Sequence, residues 1–203
     1  MPLQNRVDPF GELRTTSARG TLFGNRGGKF HRDDRTLGQR RYATRQWICC
    51  VLSFKGRQRD VWGRYYTELF FLDEPTALAA GHRPCFECRR EEANDFALKF
   101  AGRSTRASAP EMDDVMHRER LDGGTKRLHK RNLDELPDGT FITFSGGDAF
   151  AVKGQQLLRW TPTGYTERCA RRTGIEVQML TPPSIAKVLA RGYAPRWHDS
   201  AER

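Results

Sequence analysis

Long apolar runs are missing from this chain of 203 residues. No stretch approaches the roughly 18 apolar residues that a membrane helix needs, so no membrane partner is expected. The start of the chain also lacks the apolar segment of a secretory signal, and no leader is expected. Hydrophobic residues make up 37% of the chain and the mean hydropathy is −0.74, which implies a modest core under a very polar surface. The Gly-Lys-Ser/Thr ending of a Walker loop is absent, as are Gly-x-Ser-x-Gly and His-Glu-x-x-His. These absences argue against a P-loop nucleotidase, an α/β-hydrolase elbow and a zincin protease. Coiled-coil heptads and internal repeats are also missing. Disulfide pairing is not expected either. There are five cysteines, an odd number, with Cys49 and Cys50 adjacent and Cys85 three positions before Cys88. That pattern suits a reducing cytoplasm better than a secreted framework.

Lysine is scarce, with 7 against 28 arginines, and the net charge is +10. Its placement is uneven. Residues 1–60 hold 13 Lys/Arg against 5 Asp/Glu, whereas residues 61–203 hold 22 against 20. Arginine presents a planar fork that pairs with phosphate and stacks on bases. A basic front end therefore points to a polyanion, most simply nucleic acid, with DNA the expected partner. An arginine-rich genome composition would give the same count without a function.

Residues 1–44 show little hydrophobic periodicity and hold several glycines among Arg26, Lys29, Arg32, Arg40 and Arg41. This reads as a basic arm whose backbone amides and arginines approach an anion. A strand is predicted over 46–54, a return strand over 59–62 and a third over 66–72. An amphipathic helix follows over 89–101. The polar stretch 102–110 reads as a boundary. Beyond it come a helix over 111–121, a basic loop, and short strands over 140–145, 149–153, 155–160 and 176–180. Gly146-Gly147-Asp148 is the expected turn between the first two of these. Thr181 is the expected N-cap of a last helix, stopped by Gly192. The expected fold class is α+β: a small antiparallel sheet with a metal knuckle and helix, then a β-meander with flanking helices. The expected division is an arm at 1–44, a metal-binding module at 45–102 and an α+β region at 110–203.

The most informative run is Phe70-Phe71-Leu72-Asp73-Glu74-Pro75-Thr76-Ala77-Leu78-Ala79-Ala80-Gly81-His82-Arg83-Pro84-Cys85-Phe86-Glu87-Cys88-Arg89-Arg90. It reads as a strand, a helix capped by Asp73 with Pro75 in its first turn, a Gly81 stop, and a Cys-x-x-Cys knuckle opening another helix. Cys85 and Cys88 lie close enough to share one metal ion, and zinc is the expected one. Arg89 and Arg90 add positive charge beside it.

This run resembles the zinc-binding module of the Ada family of DNA methyl-phosphotriester repair proteins, a finger also appended to several bacterial nucleases. The match covers about residues 66–92. The resemblance implies zinc, DNA binding and a role in repair, modification or regulation. It also implies further ligands upstream, where the family has a spaced pair and this chain has the adjacent Cys49-Cys50. Cys50 is the expected third ligand and, in that family, the counterpart of a methyl-accepting thiolate. Alternation along the strand sends Cys49 to the opposite face as a buried thiol. The fourth ligand is His31 or His82, with His31 the expected one.

A second constellation is Asp113, His117 and Glu119. Asp113 and His117 are four apart and share a helix face. Such a cluster can hold a general base or Mg²⁺ for a DNA- or nucleotide-directed hydrolase. A solvated face of ion pairs looks the same in sequence. Two aromatic segments, one containing Trp160 and Tyr165 and the other Tyr193 and Trp197, read either as stacking platforms for bases or as buried rings. The primary expectation is a zinc-containing nucleic-acid-binding protein. The alternatives are the hydrolase and a zinc-stabilised protein-interaction module.

Overall fold

The computed structural model describes residues 1–58, 60–144 and 147–202. The chain is α+β. Its first half contributes β1 (Gln4–Val7), β2 (Leu13–Thr15), β3 (Leu22–Arg26), β4 (Trp47–Val51), β5 (Leu69–Phe71), α1 (Glu74–Ala79), β6 (Arg83–Pro84) and α2 (Arg90–Ala101). Then follow α3 (Ala109–Arg120), the small hairpin β7 (Leu121–Asp122) and β8 (Thr125–Lys126), and β9 (His129–Asn132). A meander comes next: β10 (Phe141–Thr143), β11 (Phe150–Lys153), β12 (Gln156–Thr161) and β13 (Gly164–Ala170). The chain finishes with β14 (Glu176–Met179) and α4 (Pro183–Ala190), followed by a short 3₁₀ turn.

Two six-stranded sheets result. The first has the order β2-β1-β5-β3-β4-β6, the second β13-β12-β11-β10-β14-β9. The second is antiparallel throughout, as a meander requires. The first is mixed, because β1 runs parallel to β5 and β4 parallel to β6. The expected small antiparallel sheet is therefore larger and of mixed sense.

The largest correction concerns residues 1–44. They are not an arm: β1, β2 and β3 supply half of the first sheet. Within β3 every residue is buried, including Asn25 and Arg26. Gly24 is needed there, since a Cβ would stand 2.0 Å from the Ile48 carbonyl oxygen on β4. Residues 60–62 form a turn rather than the expected return strand, while Arg59 lies outside the described residues. So do Ser145 and Gly146 of the expected strand end and turn.

Helix α1 joins the layers. It has six residues and all are buried. Asp73 caps it, accepting from the Thr76 amide at 3.0 Å and its hydroxyl at 2.7 Å, and Gly81 ends it at φ +88°. Ala77 and Ala80 pack on the first sheet with Leu69 and Phe71. Ala79 packs on the second with Phe141, Ala151 and Leu158. Leu78 meets Phe96, Met112, Met116 and Ile185 from the other helices. Small alanines let two sheets approach one helix closely.

Stretch 102–110, expected as a boundary or surface linker, contains a residue packed into the core. Ala107 is buried among the helices and its amide donates to the Ala97 carbonyl at 3.1 Å. Ser108 opens α3 with a capping box completed by Glu111. Thr181 does not cap α4; its hydroxyl accepts from the Phe141 amide at 2.9 Å and ties the helix entrance to β10.

Candidate metal centre and its cleft

The centre begins with strand alternation. On β4, Cys49 faces α1 and is fully buried, while Cys50 faces the other side with Phe23 and Cys85. Strand β6 lies parallel to β4, and the Cys85 amide continues the ladder by donating to the Cys49 carbonyl at 3.0 Å. The chain then turns back. The Glu87 amide donates to Cys85 Sγ at 3.4 Å, and the Arg89 amide to the Cys85 carbonyl at 3.0 Å. This turn brings Cys88 beside Cys85 under Cys50.

The sulfurs of Cys50, Cys85 and Cys88 all lie within 4.8 Å of one another. Tetrahedral thiolate ligation at about 2.3 Å puts sulfurs roughly 3.8 Å apart, so three corners of such a site are in place. The group can hold a metal ion. Its electrostatics agree. Hydrogen bonds from Cys50 and Cys88 hold the Cys85 thiol far below the ordinary thiol range, while its bonds to Cys85 and Cys88 push Cys50 up. Thiols packed this closely share protons that a bound cation would displace.

His31 does not join them. Its Nδ1 lies 2.8 Å from the Thr67 hydroxyl and its ring stacks on Trp62 at 5.1 Å. Its position is explained by that packing, which sequence spacing does not reveal. His82 is also elsewhere, fully buried between Trp47 and Phe71. Among the described residues no fourth Cys, His, Asp or Glu completes the group.

Instead the sulfurs border a cleft of about 590 Å³. Phe23, Phe54, Arg57, Arg64, Tyr65 and Tyr66 help to line it. Tyr65 and Tyr66 are 70% and 49% exposed, unusual for rings and the reverse of a core position. Arg57 is held by Glu87 at 2.6 Å, and Asp60 by Arg35 at 3.5 Å. The run Arg64-Tyr65-Tyr66 was the missed signal: basic and aromatic residues adjacent, outside any hydrophobic period.

The other expected site residues do not converge. Asp113 is buried in a two-pronged bridge to Arg83, 2.8 Å on each arm. His117 accepts from Arg120 at 3.0 Å and meets the edge of Tyr42. Glu119 accepts from the Ser184 amide at 2.9 Å and its hydroxyl at 2.6 Å, at the start of α4. Each carboxylate is already committed to a structural partner, so no hydrolytic cluster forms. Glu119→Ala is expected to lower stability by about 1–2 kcal/mol, as loss of a helix cap does, and to leave metal content unchanged. Chemical denaturation with metal analysis checks both.

Two of the expected nucleic-acid contacts are also structural. Arg89 is buried and pairs with Glu74 at 2.8 Å, and Arg26 is buried over the Trp47 ring at 3.9 Å. Arg32, Arg40, Arg41 and Arg90 are exposed, and Lys29 reaches Asp33. In the aromatic segments Tyr165 and Tyr193 are buried and Trp160 and Trp197 partly so: Tyr165 donates to Asp73 at 2.8 Å, Tyr193 to Glu74 at 2.7 Å and Trp160 to the Thr76 hydroxyl at 3.1 Å.

Fold and site together define an α+β protein with three clustered thiols, able to hold a metal ion, at the edge of a cleft. No family model, curated protein or solved structure matches the chain. No helix among the described residues is long and apolar enough to cross a membrane.

Proposed function

We propose that this is a zinc-containing nucleic-acid-binding protein whose cleft beside the metal takes an unpaired base. Zinc follows from the donor set, since thiolates favour a borderline-soft tetrahedral cation over Mg²⁺ or Ca²⁺. The observation that carries the nucleic-acid reading is the pairing of exposed Tyr65 and Tyr66 with Arg57 and Arg64 on one cleft. Arg64 lies over the Tyr65 ring at 5.6 Å, so that ring offers one face for stacking on a base while guanidinium groups hold the flanking phosphates. The exposed Arg32, Arg40, Arg41 and Arg90 extend the positive surface. A role in repair, modification or regulation of DNA rests on the Ada resemblance of residues 66–92.

The test is binding of a fluorescent single-stranded oligonucleotide to the zinc-loaded protein. Tyr65→Ala is expected to weaken it by roughly 5–150-fold, corresponding to about 1–3 kcal/mol for one stacked base. Arg64→Ala is expected to reduce the salt slope by about one. Full affinity in a Tyr65/Tyr66 double alanine variant that keeps its zinc would remove the cleft from the interface.

A second reading has one observation in its favour. Three protein ligands with a fourth direction toward a cleft is the arrangement of catalytic rather than structural zinc. The cleft residues would then bind and orient a substrate, and the metal would act as a Lewis acid. Turnover of a nucleic-acid substrate that depends on zinc would favour this over simple binding.

A further inference from the structure

Away from the thiols, three cations meet in the interior without a counter-charge. Arg26 and Arg120 are each 1% exposed, and their guanidinium groups sandwich Trp47 at 3.9 and 3.8 Å from a ring centroid. Half-buried Lys126 turns its ammonium inward onto the Ala79 carbonyl. Backbone carbonyls take their hydrogens: Gly11 at 2.8 Å and Arg41 at 3.2 Å for Arg26, Gly81 at 2.8 Å and Arg45 at 2.6 Å for Arg120. Carbonyls bring no net charge. Among the described residues none of the three cations forms a salt bridge, and Arg120 Nε and His82 Nδ1 are buried without any partner.

The nearby carboxylates are engaged or outside. Asp8 bonds Arg14 at 2.8 Å, Asp113 bonds Arg83, and Glu12 is exposed at the cavity edge. Three like charges in a low-dielectric interior are costly, and proteins bury charges paired. The cost shows in the titration of the cluster. Burial lowers Arg26 to about 9, and burial with repulsion from Arg120 and Arg26 lowers Lys126 to about 7.

A cavity of about 30 Å³ lies among Arg26, Arg120, Lys126, Trp47 and Tyr42. It exceeds one water sphere but is too small for a base or sugar. It adjoins an open groove of about 490 Å³, with which it shares Tyr42, Leu121 and Gly124, and which Arg118 and Arg127 also line. We propose that the cavity is an anion site for a phosphoryl group, entering from this groove, with Arg26, Arg120 and Lys126 supplying the charge. The site is separate from the thiol cleft and does not depend on what that cleft binds. Its ligand is a phosphate monoester or free phosphate, because a compact, multiply charged head matches a small cavity with three cations.

The experiment uses the full zinc-loaded chain. Thermal unfolding is followed with inorganic phosphate against chloride at matched ionic strength, then binding of one oligonucleotide with either a 5′-phosphate or a 5′-hydroxyl. Phosphate is expected to raise Tm saturably. Lys126→Met should weaken that effect about tenfold or more, as loss of a charged hydrogen-bond partner does. Glu12→Gln, at an exposed position, should strengthen it by removing a carboxylate from the edge. Preference for the 5′-phosphorylated strand would identify a nucleic-acid end as the source, and equal binding of the two strands would identify free phosphate. The proposal fails if phosphate gives no saturable shift in either the parent protein or Glu12→Gln. It fails also if the shift is unchanged by Lys126→Met.

Discussion

Replacing Cys85 by serine is expected to remove the metal and to cost about 3 kcal/mol or more of stability. Cys85 is central to the cluster: it is bonded to both other thiols, and its backbone joins β6 to α2 through Cys49 and Arg89. Zinc bound by the folded chain alone adds its binding energy to folding, and that energy reaches about 10–16 kcal/mol in finger peptides. The loss here is smaller because both sheets and α1 remain packed without the ion. Cys50→Ser and Cys88→Ser should behave alike. Cys49→Ser is the internal control, since Cys49 lies on the other face of β4 and should keep the metal while losing some packing. Metal content by atomic emission and unfolding in denaturant read both effects. One equivalent of zinc retained by Cys85→Ser would dismiss the centre.

Glu74→Ala is expected to cost about 3–5 kcal/mol, the cost of breaking a buried ion pair on one side. Glu74 and Arg89 have no exposed side-chain surface and meet at 2.8 Å. Burial alone would lower the Arg89 pKa, but Glu74 reverses the sign and holds it above its ordinary value. Glu74 also accepts from the Tyr193 hydroxyl at 2.7 Å and the Arg196 amide at 2.9 Å. Truncation therefore leaves the buried guanidinium with only Glu92, at 3.6 Å, and takes the acceptor from a buried phenol and a part-buried amide. Replacing both partners together, Glu74→Leu with Arg89→Met, should recover much of the loss, because no charge is then left unpaired. Guanidinium unfolding of the two single variants and the double variant measures the difference. Additive losses would show that the pair is not the source of the effect.

The Cys-x-x-Cys knuckle, the Asp73 cap, the Gly81 stop and the opposite facing of Cys49 and Cys50 were legible because each follows from local geometry within a few residues. The meander was legible up to β12, since its strands alternate around glycine turns. β13 went unseen, as its last five residues are exposed and give no apolar alternation. The strands of residues 1–44 were illegible for a different reason. They are three to five residues long, and β3 carries a glycine, an asparagine and an arginine into the interior. Nothing local says that Arg26 will lie over Trp47, 21 positions away, or that Arg89 will find Glu74. Counting arginines as solvent-facing charge therefore overstated the polyanion surface of the first half. His31 failed in the same way, because Thr67 and Trp62 become its neighbours only when the sheet closes.

Helix α1 also sets a timetable. Its acidic start is satisfied from the far end of the chain: Tyr193 reaches Glu74 across 119 positions, and the His198 amide reaches Asp73 across 125. Closing such separations costs chain entropy before any contact compensates, which places the docking of α1 late in folding. During synthesis at 5–20 residues per second, the two carboxylates wait on the order of ten seconds for these partners. The residues of the cysteine knuckle and of the first sheet are all synthesised before that. The three thiols, all within the first 88 residues, are therefore synthesised well before the acidic start of α1 has its last partners.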